Sequence, residues 1–91
     1  MTQSEFEIVL EQARKLRKMK NEAYGNSFVD FYNESGWLGV LSDINRKFSR
    51  IKHFANTGKE EVPDETIEDT LLDLSIMCMN AIVWNRNRKR K

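Results

Sequence analysis

Proline, cysteine and histidine occur once each in these 91 residues, and glycine only four times. One cysteine excludes an intrachain disulfide and a multi-cysteine metal centre. Cys78 lies in an apolar run and reads as a buried structural thiol in a reducing cytoplasm. His53 has no Cys or His at ligand spacing and no serine at a nucleophile motif, so a zinc centre and a hydrolytic triad have no basis. It reads as a surface or cap residue near a helix end. A glycine-rich phosphate loop and a dinucleotide fingerprint are both missing. So is any run approaching the roughly 18 apolar residues of a membrane span. The amino-terminal MTQSEFEIVLEQARK has no basic start followed by an apolar core, and the expectation is a cytoplasmic chain, neither exported nor membrane-embedded.

What remains is 40% apolar and 32% charged residues, the composition of a folded, helix-rich domain. A chain this short buries a modest fraction of its surface, so a lone monomer is marginal and a homo-oligomer, a dimer or larger, is expected. Net charge is only +1, but five bases lie in 14–20, four in 46–52 and five in 86–91, while seven of the fourteen acids fall between Glu60 and Asp73. Such segregation lets a near-neutral chain present one basic and one acidic surface.

Apolar periodicity predicts an all-α fold with three main helices. The first spans about 4–19, capped by Ser4 or Thr2, with Phe6, Val9, Leu10, Ala13 and Leu16 on one face. Residues 20–36 break the period: Gly25-Asn26 and Ser35-Gly36 are turn dipeptides, and Tyr24, Phe28, Phe31 and Tyr32 crowd around them. They predict an ordered loop with room for one short helix. The second main helix, about 37–55, carries Leu38, Leu41, Ile44, Phe48, Ile51 and Phe54 on its stripe and stops at Asn56-Thr57-Gly58. Pro63-Asp64-Glu65 opens the third, about 64–86, in which apolar residues from Leu71 to Trp84 cover nearly the whole circumference. Two other helices cannot surround it, so a partner subunit is expected over its remaining face. Residues 1–85 read as one domain and 86–91 as a basic tail, suited either to gripping nucleic-acid phosphates or to ending a helix in solvent.

Within the third helix Asp69, Asp73 and Asn80 fall at intervals of four and seven, along one line of the surface. Buried carboxylates need a counter-charge, hydrogen bonds or a metal, and two compensations are open. Two carboxylates one turn apart stand roughly 5–6 Å apart at Cβ, close enough to share Mg²⁺ with phosphate oxygens, with Glu65 or Glu68 as a further ligand. Alternatively, Lys47 and Arg50 of the second main helix pair with Asp69 and Asp73 in a closed ion network. Upstream, Lys20, Tyr24, Gly25, Asn26 and Ser27 offer a cation, an aromatic plate, a permissive backbone position and small donors. That set suits a phosphate and a stacked base, or else a loop packed through its aromatics.

The ordered combination KNEAYGNSF, GWLGVLSDINRKFSRIKHF and ETIEDTLLDLSIMCMNAI, across about residues 16 to 84, resembles the nucleotide modification associated domain of phages and bacteria. That domain is similar to the all-α nucleotide pyrophosphohydrolases of the MazG and dimeric dUTPase kind, helical oligomers that bind Mg²⁺ between acidic helices. The resemblance implies a nucleotide ligand in a bacterial or phage-infected cytoplasm. It implies Asp69 and Asp73 as catalytic carboxylates, Glu68, Asp69 and Asp73 on the metal, Lys20, Lys47 and Arg50 on phosphates, and Tyr24 or Trp37 stacked on the base. Those enzymes carry Glu-x-x-Glu on one helix and Glu-x-x-Asp on the next. Here Glu68, Asp69 and Asp73 stand at altered spacing, and the other helix has Asp43 followed by Arg46, Lys47 and Arg50, bases that favour direct phosphate binding. Three readings follow: a Mg²⁺-assisted hydrolase or nucleotide-modification accessory, a non-catalytic phage-type protein that sequesters a cyclic or signalling nucleotide, and a nucleic-acid accessory protein acting through the tail.

Overall fold

The structure, a computed structural model, describes residues 3–25 and 27–89, without the side chains of Gln3, Tyr24 and Lys89. Among the described residues it is all-helical, with no strand: α1 (Gln3–Tyr24), α2 (Ser27–Ser35), α3 (Trp37–Thr57) and α4 (Ile67–Lys89). Where sequence and structure differ, local chemistry gives the reason. Helix α1 runs a turn beyond residue 19 because Lys20 and Asn21 continue the helix with polar side chains on its inward face, where the apolar period lapses. It ends at Gly25, whose φ of 63° is the left-handed conformation that closes a helix and whose N–H donates to the Asn21 carbonyl at 2.8 Å.

The predicted loop contains a fourth helix, α2, held between Gly25 and Gly36 and built on the aromatics that made the segment look irregular. Tyr32 of α2 is 1% exposed, and its ring packs edge-on against Phe28 and Trp84 with centroids 6.1 and 5.7 Å away. With Val40 of α3 and with Ala81 and Trp84 of α4 it forms the core, flanked by Phe28 and Ile44. Gly58 stops α3 as expected, donating to the Phe54 carbonyl at 2.7 Å.

Helix α4 begins at Ile67 instead of residue 64 because Asp64 sits at φ 66°, which no right-handed helix passes through. Thr66 and Asp69 then close a reciprocal cap: the Thr66 N–H donates to the Asp69 carboxylate at 3.0 Å and the Asp69 N–H to the Thr66 hydroxyl at 3.1 Å. At its other end α4 passes through the expected boundary at residue 86, and the Arg88 guanidinium lies 4.7 Å from the Trp84 ring centroid and 5.6 Å from that of Trp37.

Helices α1 and α4 run side by side in the same direction: residues 9–16 of α1 face the start of α4, and residues 17–21 face Asp73 to Asn80. Cys78 is exposed, contrary to the expectation of a buried thiol, because the other helices cover only part of the circumference of α4. No described helix is long and apolar enough to cross a membrane.

Candidate functional site

Two clefts flank the α1–α4 contact, and they divide the carboxylates that the spacing had aligned. The upper cleft, about 150 Å³, gathers Arg17, Lys20 and Asn21 from α1, Gly25 and Ser27 from the α1–α2 corner, and Asp73 and Asn80 from α4. Phe28, Tyr32, Ile76 and Met77 give it an apolar wall, and Asp43 of α3 reaches its back. The lower cleft, about 480 Å³, is lined by Val9, Leu16, Leu71 and Leu72, with Glu68 and Asp69 at its rim. Asp73 is therefore separated from Glu68 and Asp69, and Asp69 is an exposed capping residue instead of a buried ligand.

Beneath the upper cleft the carboxylates are compensated by bases, with Glu65 standing where Asp69 was expected. Lys20 Nζ lies 2.6 Å from Asp73 Oδ1 and Lys47 Nζ 3.0 Å from Asp73 Oδ2. Lys47 also reaches Glu65 at 3.4 Å, and Arg50 Nη1 donates to both Glu65 oxygens at 2.8 Å. The Thr70 hydroxyl adds a hydrogen bond to Glu65 at 3.2 Å. The Lys47 side chain is 7% exposed, so the network spans helices that would otherwise bury an unpaired charge. Burial pushes the Asp73 carboxyl upward, but the hydrogen bonds from Lys20 and Lys47 outweigh it and hold the group below its usual 3.8. Tyr32 donates to Asp43 at 2.8 Å, and burial together with that carboxylate raises the phenol well above its ordinary range.

The charge balance of this region is positive. Lys20, Lys47 and Arg50 face only Asp73 and Glu65, and Arg17 lines the cleft with no ion pair among the described residues. Asp43 is matched by Arg46 at 3.4 Å. The same pairing does not suit Mg²⁺: each Asp73 oxygen already takes a lysine, Asp69 caps α4, and no three His, Cys, Asp or Glu side chains converge among the described residues.

Of the residues singled out by sequence, Lys20, Gly25, Ser27 and Asp73 meet at the upper cleft, while Lys47 and Arg50 lie in the ion network below it. Asn26 and the Tyr24 side chain lie outside the described residues. Trp37 stands apart, its ring 5.2 Å from Trp84 at 76°. Sequence reasoning missed Arg17, Asn21 and Met77. Arg17 stands one turn before Lys20 on α1, and that spacing was the available signal. No protein family, no curated protein and no solved structure matches this chain.

Proposed function

We propose that this protein is a nucleotide-binding domain that takes a phosphate or a base-sized group of its ligand into the upper cleft. The observation that carries this reading is Arg17, a cation at the cleft without an ion-pair partner among the described residues, beside Lys20, Asn21 and Ser27 and over a network in which bases outnumber acids. Amides and hydroxyls beside two bases suit phosphate oxygens, and Phe28 and Met77 offer an apolar surface to a base. At about 150 Å³ the cleft is half the lower end of the range for whole drug-sized ligands, so the remainder of a nucleotide lies over its mouth. The pairing of every acid in the network favours binding without turnover, as in sequestration of a cyclic or signalling nucleotide.

A second reading, a Mg²⁺-dependent pyrophosphohydrolase, rests on the family resemblance and on Asp43 and Asp73 facing the same cleft. It requires Lys20 to leave Asp73. The discriminating experiment is a calorimetric screen of mono-, tri- and cyclic nucleotides with mass-spectrometric readout of products, with and without Mg²⁺. Binding with intact ligand supports sequestration, pyrophosphate release supports the hydrolase, and no binding by any nucleotide contradicts both.

A further inference from the structure

The outer side of α4 carries a stripe at intervals of three and four, Glu68, Leu71, Ser75, Met79, Ile82 and Arg86, and all six are exposed. Leu71, Met79 and Ile82 are each 43–50% exposed, an uncommon arrangement for three large apolar side chains in a row. The stripe is self-complementary when reversed. Reversed about its midpoint between Ser75 and Met79, those two exchange places, Leu71 falls within one residue of Ile82, and acidic Glu68 falls opposite basic Arg86. Helix α1 runs beside it with the same polarity, acids Glu5, Glu7 and Glu11 early and bases Arg14, Lys15 and Lys18 late. An antiparallel partner therefore sets Glu68 against Arg86 at both ends of the stripe, whereas a parallel one sets like charge against like.

The surface area gives a size to what is missing. A compact monomer of 10.7 kDa exposes about 5,500 Å², whereas this chain exposes 7000 Å². The excess, roughly 1,500 Å² per chain, is shared with the clefts and the α3 row and bounds from above what the stripe contributes; about 800 Å² of it per partner would make an interface of standard size. The other exposed apolar row, Leu38, Leu41 and Phe48 on α3, lacks the reversal of charge: it runs on to Lys52 with no acid at its start.

We infer that the α1–α4 face docks a second copy of this chain, α4 packing antiparallel against its counterpart about a two-fold axis that crosses the stripe between Ser75 and Met79. Such an isologous contact buries the stripe and closes on itself. Light scattering at micromolar concentration should give twice the 10.7 kDa chain mass. Ile82→Glu, at a half-exposed position, should give the single-chain mass with helicity unchanged, and Leu38→Glu should leave two chains together. Glu68→Arg and Arg86→Glu should each weaken association about fivefold through two symmetry-related rim pairs, and the double exchange should restore it to within about twofold. A single-chain mass for the natural protein, a dimer broken by Leu38→Glu but not by Ile82→Glu, or a double exchange no tighter than the singles would each overturn the inference.

Discussion

Asp73 and Lys47 touch each other, yet their removal has different consequences. Asp73→Asn leaves Lys47, 7% exposed, with only the longer contact to Glu65, and should cost about 2–3 kcal/mol in urea unfolding. Lys47→Met leaves Asp73 with Lys20 and Glu65 with Arg50, and fills the same space with apolar atoms, so a change within about 1 kcal/mol is expected. Because the folded Asp73 carboxyl titrates below 3.8, its contribution is complete above the unfolded value and disappears as pH falls through the lower, folded one. Stability of the natural chain should therefore fall on acidification below that value, and Asp73→Asn should flatten this part of the acid limb. Asp69→Ala removes a cap and should cost about 1 kcal/mol while leaving nucleotide affinity unchanged, since Asp69 does not line the upper cleft.

At the scale of the elements, the corner between α2 and α3 is the tightest joint. A Cβ at Gly39 would stand 2.7 Å from Ser35 Cβ and 3.1 Å from a Phe31 ring carbon, so Gly39→Ala should lower stability by about 1–3 kcal/mol. Adding Ser35→Gly should recover part of that loss, and a thermal melt of the double variant checks the coupling. The all-α class, the course of α3 and its stop at Gly58 were legible in apolar period and cap chemistry. Helix α2 was legible only as an ordered loop with room for one short helix, because nine residues between two left-handed glycines give too few turns for a period to emerge. The site was half legible. Lys20 and Asp73 stood out by type and spacing, but the exchange of Asp69 for Glu65 follows from the left-handed turn at Asp64, which no periodicity reveals. Cys78 and its neighbours read as core because a helix apolar all round looks buried, whereas the fold covers only one side of α4.

For the molecule as a whole, the radius of gyration of 14.5 Å exceeds the roughly 12 Å of a compact domain of this length, in keeping with open clefts and uncovered apolar stripes. A chain stabilised by association melts at a temperature that rises with its concentration, and this chain should do so. Nucleotide binding, if it rests on Arg17 and Lys20, should weaken with added salt, and Arg17→Ala should reduce affinity about tenfold without disturbing the ion network, in which Arg17 takes no part. That variant provides the most direct measurement of the central claim: calorimetric titration of the natural chain and of Arg17→Ala with the nucleotide that most raises the melting temperature. Binding to the natural chain and about a tenfold loss in the variant are expected. Equal affinity in the two, or no nucleotide that raises the melting temperature at all, would contradict that claim.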